Sequence, residues 1–194
     1  MRTRTRNEKT ESVKKGSGIS FAMIKIMHDN PLLSRLRDPF AILKTAGLKK
    51  GQCVLEVGCG PGFFTIPAAR IVGDEGLIYA LDVNPRAIQS VQAKIRQTGI
   101  SNVRPMQTNA SRSGLADACI DAAFLFGLPY IAGGFDELLV ELRRLLKPGG
   151  CLAIQKRLRA GADFIEKIQA AGFVFTGQNK RILTFTRSHE QQHE

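Results

Sequence analysis

The residues of this chain best suited to chemistry are two carboxylates, Glu56 and Asp82, and the glycines between them at positions 58, 60 and 62. Val54, Leu55 and Val57 read as a short buried strand, Gly58 to Gly62 as a tight turn, and Phe63 to Val72 as the opening of a helix. A strand, a glycine turn and a helix N-terminus together make a ligand cradle. Glycine lets the backbone come close to a ligand, and the free N–H groups of the first helical turn point at it. Two ligand classes compete for such a cradle. The dinucleotide fingerprint G-x-G-x-x-G, counted from Gly58, needs a glycine where Phe63 stands, and no phosphate-loop lysine follows the turn. The spacing G-x-G-x-G points away from both a dinucleotide and a nucleoside triphosphate.

Five strands alternating with helices must position this cradle. After the first comes Leu77 to Leu81, ending at Asp82, and then Asn84-Pro85, a capping side chain followed by proline at the first helical position. Ile88, Val91 and Ile95 mark one face of the helix so begun. Asn102 to Gln107 reads as a weaker third strand with Asn109-Ala110 just beyond it, and Ile120 to Phe126 as the fourth. Phe135 to Leu146 is a helix with Leu138, Leu142 and Leu145 on one face, stopped by the turn Lys147-Pro148-Gly149-Gly150 before the fifth strand, Cys151 to Gln155. A helix over about 162–171 leads to a closing hairpin, Phe173–Thr176 with Ile182–Thr186. The pattern predicts an α/β fold, a parallel sheet wrapped on both faces, with an antiparallel C-terminal strand and ligand at the carboxyl ends of its strands. Pro67, early in the first helix, is compatible with that helix only inside its unpaired first turn.

Before the sheet the chain changes character twice. Residues 1–18 are polar and charged and end in Gly16-Ser17-Gly18, the composition of a flexible basic arm. Over 19–48, Phe21, Ile24, Met27, Leu32, Leu33, Leu36, Phe40 and Leu43 recur at helical spacing, interrupted at Pro31 and Pro39. Short amphipathic helices follow, either padding one side of the domain or forming a lid whose Phe21, Met23, Ile24 and Met27 line a substrate pocket. The ligand-binding domain is expected over 49–187 and a tail over 188–194.

Length and composition narrow the class. A chain of 194 residues with 43% hydrophobic and 23% charged content fits one soluble domain with a full core. Its four cysteines, Cys53, Cys59, Cys119 and Cys151, form no C-x-x-C pair, which argues against a metal site and a disulfide framework and for a reducing, cytoplasmic setting. No stretch is long and apolar enough to span a membrane, and Glu8 and Glu11 in the arginine-studded start fit neither a secretory signal nor a transit peptide. The net charge of +11 suits an RNA or DNA partner, an anionic membrane surface or an anionic small substrate, or simply a soluble surface.

The run Glu56-Val57-Gly58-Cys59-Gly60-Pro61-Gly62 resembles motif I of the class I S-adenosylmethionine-dependent methyltransferases. Asp82 closing strand two, Leu146-Lys147-Pro148-Gly149-Gly150 before strand five and the closing hairpin extend that resemblance over about residues 45–187. It implies a Rossmann-like, doubly wound, seven-stranded sheet and S-adenosyl-L-methionine as cofactor, with S-adenosyl-L-homocysteine as product. Such a cofactor carries a carboxylate, an ammonium, a ribose and an adenine but no phosphate. Backbone amides beside Gly58, Cys59, Gly60 and Gly62 suit the carboxylate, and Glu56 suits the positive end. Asp82 matches the family's ribose-binding acid, Val83 offers the adenine an apolar face, and Phe126 ends strand four beside the site. A helix-capping aspartate is the plain alternative for Asp82. Where the family often has an aspartate for the adenine amino group, this chain has Asn109, followed by Ala110; the amide oxygen can accept the same bond without the charge.

Methyl transfer is an in-line displacement at a methyl already activated by the sulfonium, so alignment and exclusion of water are the protein's main tasks. A general base is needed only for an acceptor that holds its proton, and no catalytic residue is assigned. Gly127-Leu128-Pro129-Tyr130 departs from the Asn/Asp-Pro-Pro-Tyr/Phe motif of amine methyltransferases, since Gly127 has no side chain to bond an amine. Tyr130 then reads as a pocket wall, and His28 and Asp29 as structural. The layout looks most like the branch of ubiquinone/menaquinone and related small-molecule methyltransferases, with an anionic or partly hydrophobic acceptor, acting as a monomer or homodimer. The basic arm, with Lys156, Arg157 and Arg159 after strand five, keeps an RNA methyltransferase in view, and a non-catalytic cofactor-binding module is the third reading.

Overall fold

A computed structural model describes residues 38–127, 131–155 and 162–188. Helix α1 (Pro39–Thr45) precedes β1 (Cys53–Val57), α2 (Thr65–Val72), β2 (Leu77–Asp82), α3 (Pro85–Thr98), β3 (Val103–Gln107) and a 3-10 turn at Ala110–Arg112. β4 (Ile120–Leu125), α4 (Phe135–Leu145), β5 (Leu146–Gln155), α5 (Ala162–Ala170), β6 (Phe173–Asn179) and β7 (Ile182–Arg187) complete it. The strands form one sheet in the order β3-β2-β1-β4-β5-β7-β6. Every pair up to β5 is parallel, whereas β7 runs antiparallel to both β5 and β6. This is the doubly wound α/β sheet with an antiparallel C-terminal hairpin that the alternating pattern predicts.

Two-residue alternation sorts the strands between two cores. Val54, Ile78, Ala80, Ala122 and Phe124 meet α1, α2 and α3 through Leu43, Ala68, Val72, Ile88 and Val91. Leu55, Val57, Leu81, Ala123 and Leu125 meet α4 and α5 through Leu138, Leu142, Leu145 and Ile168. Glu56 lies between Leu55 and Val57 and so belongs to the first face.

The helix ends follow their local chemistry. Asn84 caps α3 by accepting from the Arg86 N–H at 3.0 Å, with Pro85 at the first helical position and left-handed Gly99 beyond its end. Pro67 is the third residue of α2, inside the turn whose amides have no helical partner, which removes the difficulty its type suggests. At the other end of α2 the Asn102 side-chain amide donates to the carbonyls of Ala69 (3.0 Å) and Gly73 (2.8 Å), tying the start of β3 to the last turn of the helix.

Two expectations change. Lys147 to Gly150 is no separate turn: β5 starts at Leu146, paired with Ile120, and its next partnered residue, Cys151, faces Ala122. The four residues between form an irregularity within the strand, and left-handed Gly149 absorbs the bend. The segment over 19–48, expected to pad the domain or to form a lid, also divides. Residues 19–37 lie outside the described residues, but Leu43, Ala46 and Leu48 are core, and the Ala46 carbonyl meets the Cys151 thiol at 3.5 Å. That part pads the sheet. The arm over 1–18 and the tail beyond Ser188 lie outside the described residues too.

Gly76, in the turn between α2 and β2, has no room for a side chain. An added Cβ would sit 2.5 Å from the Val72 Cβ and 2.8 Å from the Gln52 carbonyl oxygen, and the backbone oxygen cannot move aside. Gly76→Ala should therefore destabilise the domain by about 2 kcal/mol. The check is a lowered midpoint in urea unfolding with unchanged denaturant slope.

Candidate functional site

The glycine turn closes onto the end of β2. The N–H groups of Gly58 and Cys59 both donate to the Leu81 carbonyl, at 2.8 and 2.9 Å, and Gly62 donates to the Cys59 carbonyl at 3.0 Å. Gly60 donates to Asp82 Oδ2 at 2.9 Å. These amides have acceptors inside the protein and build the turn. Gly60, left-handed at φ +51, has open space where a Cβ would be, so it is the backbone conformation and not crowding that favours glycine there. Gly62 (φ +85) is tight, because a Cβ would come 3.1 Å from Val91 on α3.

Asp82 is half-buried where β2 ends, and both of its oxygens are held. Oδ2 accepts from Gly60, and Oδ1 accepts from the Asn84 N–H at 2.8 Å. A carboxylate fixed by two backbone donors still has lone pairs for two further donors, the pattern a vicinal diol presents. Val83 beside it is 49% exposed, an apolar surface next to a polar clamp. Asp82 does not cap α3; Asn84 does that, which removes the plain alternative.

Glu56, on the same face, is 3% exposed and accepts from the Thr65 hydroxyl at 2.6 Å. Burial pushes its carboxyl up to about 8, against the pull of the Thr65 bond and with the nearby Asp82 charge adding to the rise. A buried acid held protonated beside a second carboxylate is a site that a cation would ionise. The Cys59 thiol is buried in the first core and pushed well above its ordinary range by burial, so Cys59 contributes backbone to the site and no nucleophile.

Beyond β3 the chain turns back over the sheet end. Asn109 Oδ1 accepts from the Ser111 N–H at 2.9 Å, and the Ser111 hydroxyl donates to the Ala132 carbonyl at 3.1 Å. Ala110 is half-buried against the second core. Glu141 on α4 is 8% exposed and accepts from both the N–H (3.0 Å) and the hydroxyl (2.7 Å) of Ser113. Arg144 donates to it twice, at 2.9 and 2.7 Å, and also pairs with Asp117. The Arg144 and Ser113 bonds outweigh burial and hold the Glu141 carboxyl down at about 2.

Phe126 is buried at 6%, with its ring 5.2 Å from Phe64 and 5.0 Å from Phe124. Phe63 and Phe64, half-buried after the glycine turn, continue this cluster edge to face at 4.8 Å. The Phe126 side chain is thus wall rather than open contact surface. Gly127 donates its N–H to Gln155 Oε1 at 2.9 Å, linking the ends of β4 and β5. Tyr130, Lys156, Arg157, Arg159, His28 and Asp29 lie outside the described residues, and among those described no helix is long and apolar enough to cross a membrane.

Glu56, the glycine turn, Asp82, Val83, Asn109 and Ala110 thus come together at the carboxyl ends of β1, β2 and β3. Sequence reasoning missed Thr65, Ser111, Ser113 and Glu141. Thr65 sits at the start of α2, where a hydroxyl near the cradle is a usable signal. Glu141 carries none, since it stands 28 residues from the serine it holds.

The methyltransferase domain family matches residues 48–185. The chain is 34% identical over 111 residues to the ubiquinone/menaquinone biosynthesis C-methyltransferase of Haemophilus ducreyi, an alignment covering 56% of this chain and 42% of that one. Against the demethylmenaquinone methyltransferase of Geobacillus stearothermophilus it is 31% identical over 110 residues, covering 56% and 47%. The chain spans about half the length of these curated relatives. A crystal structure of an S-adenosylmethionine-dependent methyltransferase from Aquifex aeolicus superposes with a TM-score of 0.68 at 26% identity, covering 86% of this chain and 96% of that one. Sheet order, the glycine turn closed onto Asp82 and a family match across nearly all of the described sheet lead to one conclusion: the chain belongs to the methyltransferase domain family, in its class I S-adenosylmethionine-dependent form.

Proposed function

We propose that this protein transfers a methyl group from S-adenosyl-L-methionine to a small-molecule acceptor by in-line displacement. The observation that carries this reading is Asp82, fixed by the Gly60 and Asn84 amides beside exposed Val83. Asp82 would accept the ribose hydroxyls, Val83 would face the adenine, and the Asn109 oxygen would accept from the adenine amino group. Glu56 would take the ammonium, whose arrival supplies the counter-charge its buried carboxyl lacks. The cofactor itself supplies an electrophilic methyl on a sulfonium. The protein's share is to hold and orient both reactants and keep water out, and no described residue is assigned as a base.

The matched relatives are named as a ubiquinone/menaquinone biosynthesis C-methyltransferase and a demethylmenaquinone methyltransferase, and we extend a partly hydrophobic acceptor from them to this chain. Half-buried Phe63 beside the turn adds apolar surface there. The RNA reading rested on the basic arm over 1–18 together with Lys156, Arg157 and Arg159, all outside the described residues, and the described residues add nothing to it.

Asp82→Ala should weaken S-adenosylhomocysteine binding at least about 100-fold in calorimetry, because two hydroxyls lose a charged acceptor. Unaltered affinity would remove the ribose assignment. Transfer of a labelled methyl to a lipid-extractable quinone precursor, and none to RNA, tests the acceptor class.

Glu56 makes a signed pH prediction. Its folded value of about 8 lies above the ordinary 4.5, so the folded protein holds this proton longer than the unfolded chain does. The associated stability is complete below pH 4.5 and is lost as pH rises through about 8. Thermal stability without ligand should therefore fall from pH 5 to 8, with Glu56→Gln lacking that component. Cofactor binding runs the opposite way. An ammonium that needs the carboxylate displaces the proton, so affinity should rise from pH 6 to 8 by up to about tenfold per unit, and Glu56→Gln should flatten the rise.

A further inference from the structure

Asn109 poses a problem that an aspartate would not. A carboxylate presents an acceptor whichever way it turns, whereas an amide turned over presents a donor. An adenine amino group and a purine 6-oxygen are then told apart only if the Asn109 side chain is locked. In this chain the lock is the Ser111 N–H, which holds Oδ1 at 2.9 Å, while Nδ2 lies 3.2 Å from where a Cβ on Gly133 would stand.

The Ser111 N–H belongs to a 3-10 turn of three residues, too short to hold itself in place. Its anchors come from the chain around α4. The Ser111 hydroxyl reaches the Ala132 carbonyl, just before the helix, and Ser113 gives both N–H and hydroxyl to the buried Glu141 carboxylate. Arg144 in turn holds both oxygens of Glu141. Left-handed Gly133, with no side chain, leaves space for the Asn109 amide, the Ser111 hydroxyl and the Glu137 carboxylate to gather around it.

We propose that Glu141 is a positioning residue that acts through Ser113 and the 3-10 turn to lock the Asn109 amide in one orientation, and that this lock makes the site select adenine over a 6-oxopurine. The inference rests on the reading that Asn109 meets the adenine of the cofactor. It assigns base selectivity to a buried carboxylate on the second face of the sheet, which touches no ligand.

The test compares two ligands on the full chain by calorimetry, S-adenosylhomocysteine and its 6-oxo counterpart S-inosylhomocysteine. The wild-type protein should prefer the adenine form by about tenfold, the effect of one neutral hydrogen bond gained against one carbonyl opposed. Asn109→Ala should bring that ratio close to one. Glu141→Ala should do the same, and Glu141→Gln, which keeps an acceptor for Ser113, should restore the preference. Ser113→Ala, a milder change, decides the matter if Glu141→Ala does not fold, and should lower the ratio at least about threefold. A general loss of stability would weaken both ligands alike and leave the ratio unmoved. If Asn109→Ala abolishes the preference while Ser113→Ala and any folded Glu141→Ala keep it, the positioning role is wrong and the Asn109 reading stands. A preference that survives Asn109→Ala overturns the reading beneath it.

Discussion

The closing of the glycine turn onto the end of β2 is the constraint on which the rest of the site depends. One carbonyl, Leu81, accepts from two successive amides, and one carboxylate, Asp82, accepts from the next donor in the turn. A chain leaving β1 is thereby bent back across its parallel neighbour, and α2 starts from a fixed point. The two strands are in register from Cys53 with Leu77 to Val57 with Leu81, so Asp82 arrives level with the turn because of strand pairing as well as of sequence spacing. Glycine is required there because the turn runs through left-handed conformations at positions 58, 60 and 62. Asp82 is thus a structural acceptor, and replacing it removes a brace from the turn as well as the acceptor proposed for the ribose hydroxyls.

Much of the fold was legible because two periodicities and a few capping residues dictated it. The apolar runs Val54 to Val57 and Leu77 to Leu81 marked buried parallel strands, and Asn84-Pro85 marked the start of α3 at the residue where it begins. Lys147 to Gly150 misled because Pro-Gly-Gly is turn chemistry, while the pairing of Leu146 with Ile120 recruits the residues on either side into one irregular strand. Local preference lost there to tertiary pairing. The division of α1 from the expected lid has a similar origin. Helical spacing in Phe40 and Leu43 says that one face is apolar, but not which surface covers it.

For the site, residue types were legible and hydrogen-bond assignments were not. Glu56, Asp82 and Asn109 stand at strand ends as the order of motifs demanded, yet the destination of the turn amides depends on backbone geometry that no spacing encodes. Phe126 shows the same limit: its place at the end of β4 put it beside the site, and the parity of the strand turned its ring into the Phe64 and Phe124 cluster. Glu141 was invisible because its partners come from the loop after β3, and only the folding of α4 across the second face brings them together.

The two buried carboxyls treat their charge in opposite ways, and the difference follows from their partners. Glu141 has a guanidinium and two donors from one serine, which hold its carboxyl down at about 2, and it acts as a fixed anchor. Glu56 has one hydroxyl donor and a like charge nearby, so burial wins and the proton stays. An anchor must not change with conditions, whereas a binding group gains by being incomplete. The missing counter-charge at Glu56 is supplied only by a cation, and a neutral ligand of the same shape leaves the carboxyl protonated. On the proposed reading, discrimination for a positively charged ligand requires no preformed anion at the surface, where salt would screen it; it would come from a protonated group that ionises when the right partner arrives. The two faces of the sheet divide the work accordingly, with the first face holding the titrating group and the second holding the static lock.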